Sequence, residues 1–222
     1  MQGPLSDVWV YSPKQQRWTS LAPGAPQPPP REMAAAAMVG PARLLVHGGR
    51  RGDGSVLDDA WLFDAKEGKW IQQASTGRPR CAHAAGLMWV PPPVAAAGPH
   101  DGKGTTDQAD AACDASAAAV QLPESEAAAD AVPLLVLHGG FSGAAVESST
   151  FAIDPSSLAT VALAPGAGQQ LRTCERFAHC GAAVPAGAAA GKGGPQQHLV
   201  VFGGVNPASD LGDAIVFSLR RR

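Results

Sequence analysis

One short phrase constrains this chain more than any other: an apolar strand that runs into a pair of glycines. It occurs as Leu44 to Gly49 (LLVHGG), as Leu134 to Gly140 (LLVLHGG) and as His198 to Gly204 (HLVVFGG). Such a run reads as a buried strand leaving a sheet through a turn, because glycine alone takes positive φ at no steric cost. Residues beyond the glycines extend the pattern. After the first copy come Asp58, Asp59 and Ala60-Trp61-Leu62-Phe63-Asp64, and Trp70 stands nine residues beyond Trp61. The chain opens on the same phrase, Asp7-Val8-Trp9-Val10-Tyr11, with Trp18 at the same offset from Trp9. Identity at a fixed offset, twice, is far beyond what composition alone would produce.

Using the glycine pairs as a ruler divides the chain into repeats. Residues 7–21 supply two strands, Asp7 to Tyr11 and Arg17 to Leu21, joined by a turn in which Pro13 pre-sets φ. A proline-rich connector, Ala22 to Pro30, leads to a second unit at 31–73 with strands Met33 to Val39, Leu44 to His47, Ala60 to Phe63 and Lys69 to Gln72. A third unit spans 79–164, with strands to Val90, then Leu134 to His138, Thr150 to Asp154 and Thr160 to Leu163. A fourth spans 176–219, with strands to Val184, then Leu199 to Phe202 and Ala214 to Leu219.

Two of these units are interrupted. Residues 91–132 are rich in alanine, glycine and acid with almost no large apolar side chain, and 185–197 are similar. Segments of this kind cannot bury enough surface to offset their ordering entropy, so both are expected to be disordered inserts. Both fall between the first and second strands of a unit, where the second unit has only Gly40-Pro41, so they should emerge on the same face. Lengthening such a loop from about five residues to about forty costs only roughly 2 kcal/mol of closure entropy.

The bulk numbers exclude several function classes. A net charge of -2 over 222 residues, with few charged side chains, argues against direct nucleic-acid binding. The apolar runs are all too short to cross a membrane as a helix. The opening MQGPLSDVWV lacks the charged and apolar regions of a secretory signal. Cys81, Cys113, Cys174 and Cys180 form no CxxC pair or framework spacing and fit a reducing compartment, so a cytoplasmic or nuclear location is expected.

Taken together, the motifs resemble the kelch repeat, the four-stranded blade of a β-propeller. In that family a blade runs Arg-x-x-His, an apolar strand ending Gly-Gly, a polar loop, Asp or Asn, an apolar-aromatic strand, and a tryptophan closing the outer strand. Arg80 with His83 and Arg176 with His179 match; Arg31 matches, with Ala34 in place of its histidine. Trp61 with Trp70 and Trp9 with Trp18 match, while the third unit offers Phe151 and Val161 and the fourth Ile215. The resemblance implies an all-β, kelch-type propeller, incomplete at about three to four blades, with an N-terminal part missing. Gly48, Gly49, Gly139, Gly140, Gly203, Gly204, Trp61 and Trp70, and with them Trp9 and Trp18, are then framework residues. Each tryptophan is worth roughly 4 to 6 kcal/mol gross at about 25 cal/mol per Å².

Little in the sequence points to chemistry. Arg51-Gly52-Asp53 spells an adhesion tripeptide but sits where a solvated turn is expected, and His47 and His138 precede glycine pairs as core imidazoles. Gly191-Lys192-Gly193-Gly194 lacks the spacing and the Ser or Thr of a phosphate loop. Cys174 and Cys180 have no demonstrable nucleophile context. Copper oxidases built on kelch propellers need tyrosine ligands, and the one tyrosine, Tyr11, occupies a blade position. No cofactor, metal or catalytic residue is therefore expected.

What remains is surface. The resemblance implies that loops after the glycine pair and between blades form a partner-binding rim, here carrying Arg50, Arg51, Asp53, Arg78, Phe141, Glu147, Arg172, Glu175, Asn206 and Asp210. Arginines and an aromatic are the residue types that anchor interfaces. The expected function is a non-catalytic protein-interaction module acting as scaffold, adaptor or trafficking effector; small kelch effectors of endosomal trafficking GTPases look similar. The alternative is the propeller part of an enzyme or enzyme complex, a tRNA-modifying methyltransferase fusion or a ubiquitin-ligase adaptor, whose other domain lies upstream. Open propeller edges also favour self-association.

Overall fold

The computed structural model describes residues 3–73, 75–90, 117–122, 132–165, 175–185 and 197–221. Every regular element among them is a β-strand, and no helix long and apolar enough to cross a membrane occurs there. The first unit is a hairpin of β1 (Val8–Ser12) and β2 (Arg17–Leu21). The second is a four-stranded antiparallel sheet of β3 (Ala35–Gly40), β4 (Arg43–His47), β5 (Ala60–Asp64) and β6 (Lys69–Gln72), in that spatial order. In the third unit β7 (Ala84–Val90), β9 (Val132–His138), β10 (Thr150–Ile153) and β11 (Thr160–Ala162) repeat the arrangement. The fourth combines β13 (Cys180–Pro185), β14 (Gln197–Phe202) and β15 (Ala214–Arg221).

Two further strands correct the sequence reading. Most of 91–132, expected as a disordered insert, lies outside the described residues, as does the core of the expected 185–197 insert. Within the first, however, Ala117–Leu122 forms β8, which runs parallel to β15 from Val216 to Arg221. The short β12 (Ala164–Pro165) pairs with β8 in turn. The fourth unit therefore does not end at its third strand. An added strand can be held by main-chain hydrogen bonds to a neighbour, so its own side chains need not supply a buried apolar face.

Alternation along the strands gives each sheet two apolar faces, and the units stack through them. Trp61, Phe63 and Trp70 form one cluster with Leu44 and Val46, covered by Val8 and Leu21 of the first unit. On the other face of the same sheet, Leu45, Ala60 and Leu62 meet Leu135, Leu137, Phe151 and Ile153 of the third unit. Met88, Val90, Leu134, Val136 and Ala152 then meet Leu199, Val201, Ile215, Phe217 and Leu219 of the fourth. At roughly 1.5 to 3 kcal/mol per buried large apolar side chain, these three interfaces are the main source of stability.

The glycine pairs hold adjacent units together at close range. Gly48 has φ +63° and Gly139 +64°, and a Cβ on Gly139 would lie 2.7 Å from the Arg176 carbonyl oxygen of the next unit. The second glycine of each pair donates across the same junction, Gly49 N–H to Arg80 O at 2.8 Å and Gly140 N–H to Arg176 O at 2.7 Å. A second thread of bonds runs Ala82 N–H to Met33 O and Ala178 N–H to Ala82 O. Met33, Ala82 and Ala178 occupy the third position of each arginine motif and all carry φ near +55°. Such left-handed backbone at non-glycine residues persists only where the surroundings over-determine it.

The framework expectation divides the tryptophans. Trp61 and Trp70 are 4% and 8% exposed, whereas Trp9 and Trp18 are 52% and 61% exposed. Their local geometry is the same: Tyr11 and Trp18 rings lie 5.1 Å apart, Phe63 and Trp70 rings 4.9 Å apart. Each first tryptophan donates to its preceding aspartate, Trp9 to Asp7 at 2.6 Å and Trp61 to Asp59 at 2.7 Å. The difference is the neighbour. Trp61 has the first unit against it, and among the described residues no unit covers the face of Trp9.

Candidate functional site: the glycine-pair rim

Each loop that leaves a glycine pair is built on the same main-chain ladder. The residue after the pair bridges back to the second residue of an arginine motif and forward to the far side of its own loop. The three ladders are Glu32–Arg50–Val56, Cys81–Phe141–Val146 and Phe177–Val205–Asp210. Arg50, Phe141 and Val205 thus occupy equivalent positions, presented at the end of the sheets where β4, β9 and β14 finish. At the opposite end β3, β7 and β13 finish and β4, β9 and β14 begin.

Beneath the ladders sits a repeated arginine lock. Arg31 donates from both terminal nitrogens to Asp59 at 2.7 and 2.9 Å and from Nη1 to Gly48 O. Arg176, 2% exposed, repeats this with Asp213 at 3.0 and 2.9 Å and with Gly203 O. In the third unit Ser149 stands where the aspartate would be, and Arg80 turns to Ser149 Oγ at 2.7 Å and to Glu147 at 3.3 Å. Paired charge makes burial of these guanidiniums tolerable. Arg176 holds the Asp213 carboxyl below its usual range. At Asp59 burial works to raise the pKa, but hydrogen bonds from Arg31 and Trp61 outweigh it and the net shift is downward.

Four histidines occupy the two junctions below the rim. His47 Nδ1 lies 3.1 Å from His83 Nε2 and its Nε2 lies 3.0 Å from Thr76 Oγ1. His138 Nδ1 lies 2.8 Å from Thr150 Oγ1, and its ring packs against His179 and Phe217. His179 Nε2 stands 3.1 Å from both Ala84 N and His138 O; without a proton on Nε2 it accepts from Ala84 N–H, and with one it donates to His138 O. Burial pushes His47 and His179 down to about 4, and His83 well below the ordinary histidine value. Neutral, enclosed imidazoles of this kind serve packing and hydrogen bonding. Among the described residues no three His, Cys, Asp or Glu side chains are placed to share a metal ion.

The expected rim residues fall into different situations. Arg51 and Asp53 are exposed in a tight turn in which Asp53 accepts from Ser55 N–H and Oγ, which lowers its pKa. Arg50 is half-buried rather than free: Nε and Nη2 both donate to Glu32 Oε1, at 2.9 and 2.5 Å. Arg78 is half-buried too, its guanidinium 5.2 Å from the Phe151 ring centroid. Phe141 is half-buried in its ladder, and Asn206 accepts from Ala208 and Ser209 N–H, shaping the fourth loop. Glu147 is engaged with Arg80, while Glu175 and Asp210 are exposed. Arg172 lies outside the described residues.

Sequence reasoning missed Glu32 and Val205 as rim positions. The signal was present: Glu32 is the second residue of an arginine motif, and Val205 comes directly after its glycine pair, as Arg50 and Phe141 do after theirs. No protein-family model matches the chain.

Proposed function

We propose that the chain is part of a kelch-type β-propeller and works as a non-catalytic module that binds a protein partner through the glycine-pair rim. One observation carries this reading. The rim repeats a single main-chain ladder three times but fills its equivalent positions with a cation, Arg50, an aromatic, Phe141, and an aliphatic, Val205. A purely structural repeat has no need of such variety, whereas a surface that recognises one partner does. Exposed Arg51 and Asp53 beside Arg50 add charge of both signs at one end of that row.

Below the rim, the buried arginines and neutral histidines support a rigid scaffold, the condition under which loops bind with small ordering cost. The test is positional. A photo-crosslinking side chain placed at Phe141, at Asn206 or, as a control, at Lys66 in the turn at the opposite end should give protein adducts from the first two sites. Adducts arising mainly from Lys66, or equally from all three, would refute rim recognition.

A further inference from the structure

The third arginine lock differs from the other two in its anion. Main-chain bonds place Asp59, Ser149 and Asp213 at one repeated position, where each carbonyl accepts from the first glycine of its own pair, Gly48, Gly139 and Gly203, at 2.9, 3.2 and 3.0 Å. Two of the three carry a carboxylate that spans both terminal nitrogens of its arginine. The third carries a hydroxyl. Arg80 is as enclosed as its counterparts, its side chain 6% exposed, yet only Nη2 reaches Ser149 Oγ, at 2.7 Å, and Glu147 Oε2, at 3.3 Å, while Nη1 turns to Pro79 O. A second cation stands beside it. The Arg78 guanidinium lies 5.2 Å from the ring centroid of Phe151, two residues beyond Ser149, and among the described residues no carboxylate is within ion-pair distance of it. Burial lowers the Arg80 pKa; Glu147 opposes the shift and the charge of Arg78 adds to it. Two guanidiniums and one carboxylate leave this position short of negative charge.

We infer that Ser149 is a phosphorylation site, and that its phosphate supplies the anion which Asp59 and Asp213 supply in the neighbouring units. A phosphoserine carries a charge of about -1.5 to -2 and three acceptor oxygens. Attached to an Oγ already at hydrogen-bond distance from Arg80, the group pairs with that guanidinium and offers a further oxygen to Arg78. Glu147, its side chain 27% exposed, gives way towards solvent. The transfer moves the terminal phosphoryl group of a nucleoside triphosphate, bound by a protein kinase, onto Ser149 Oγ. The new Oγ–P bond replaces the bond to the diphosphate, and the hydroxyl proton passes to the base of the kinase. Access comes through the loop 141–149, whose tip at Gly143–Ala145 is exposed and whose return at the half-buried Ser149 is held by the longest of the three main-chain bonds. Phosphorylation thus ties down the base of the Phe141 loop. The assignment does not rest on recognition through the rim.

The full chain with phosphoserine placed at position 149 through an expanded genetic code supplies the test. A phosphate monoester ordinarily takes up its second proton at about pH 6. Held by Arg80 and Arg78, this one should titrate at about pH 5 or below in a phosphorus NMR titration of the folded chain. A pKa depressed by one unit corresponds to a roughly tenfold gain in the folding equilibrium, present above about pH 6 and lost as pH falls through the depressed value. The urea midpoint at about pH 7.5 should therefore rise on phosphorylation, and Ser149→Asp should move it in the same direction. Phosphopeptide mapping of the chain isolated from the cells that make it should find phosphate on Ser149. A phosphate that titrates at its ordinary value, a midpoint that falls or stays unchanged in either chain, or a native chain without phosphate at Ser149 would each overturn the inference.

Discussion

Gly48 and Gly68 form a matched pair for testing how much stability depends on the close approach between units. Both have φ +63°. A Cβ on Gly68, in the β5–β6 turn, meets nothing within 4 Å, whereas one on Gly48 runs into the Arg80 carbonyl of the next unit and lies 3.1 Å from Leu57 O. Alanine at either site carries the left-handed backbone penalty of roughly 1 kcal/mol. At Gly48 it also forces apart a junction fixed by the Gly49 to Arg80 hydrogen bond, an overpacking cost of about 1 to 3 kcal/mol more. Gly68→Ala should therefore lower stability by about 1 kcal/mol and Gly48→Ala by about 3. The gap of about 2 kcal/mol corresponds to roughly 4 to 8 °C in melting midpoint for a chain of this size. Urea and thermal unfolding, monitored by tryptophan emission, read both quantities. Equal effects at the two sites would refute the claim that the glycine pair exists to admit the next unit's main chain.

Three further outcomes are expected from the same structure. Trp61→Ala should cost about 3 to 5 kcal/mol, while Trp9→Ala, with the same neighbours along the chain but an exposed ring, should cost the monomer under about 1; urea midpoints compare them. Arg176→Lys keeps the charge but loses the fork that spans Asp213 and Gly203 O, so a loss of about 1.5 to 3 kcal/mol is expected, and a neutral result would show the lock to be dispensable. Acid should loosen the junctions: His47 falls from an unfolded value of 6.5 to about 4, so its neutral form stabilises the fold above pH 6.5. That contribution declines as pH drops towards 4, by roughly 2 kcal/mol at pH 5 from this residue alone, measurable as a falling urea midpoint that His47→Gln would flatten.

The strand period and the core were legible because they are local. Apolar runs, glycine pairs and tryptophan offsets place β4, β5 and β6 to within a residue, and the expectation of core imidazoles at His47 and His138 agrees with their burial. What escaped was set by distance along the chain. Arg31 and Asp59 are 28 residues apart and Arg176 and Asp213 are 37 apart, so the arginines were visible as motif positions without any sign of the carboxylates they meet. Arg50 read as an exposed anchor because its partner Glu32 stands 18 residues away. Trp9 and Trp61 are indistinguishable by local sequence, and only the presence of a neighbouring sheet separates them.

The histidine pattern is broken at two positions, one in the second unit and one in the fourth. Each internal junction pairs a histidine before a glycine pair with the histidine of the next arginine motif, His47 with His83 and His138 with His179. In the second unit the motif histidine is replaced by Ala34, and in the fourth the histidine before the glycines is replaced by Phe202. Alanine and phenylalanine carry no proton to lose. Burial keeps His47, His83 and His179 in the neutral form, which makes the internal junctions an acid-sensitive part of the fold. Acid should accordingly weaken the junctions between units, as protonation of these imidazoles is linked to opening them. A urea midpoint at pH 5 below that at pH 7 is the expected outcome, and one unchanged between the two would contradict this assignment of neutral histidines to the internal junctions.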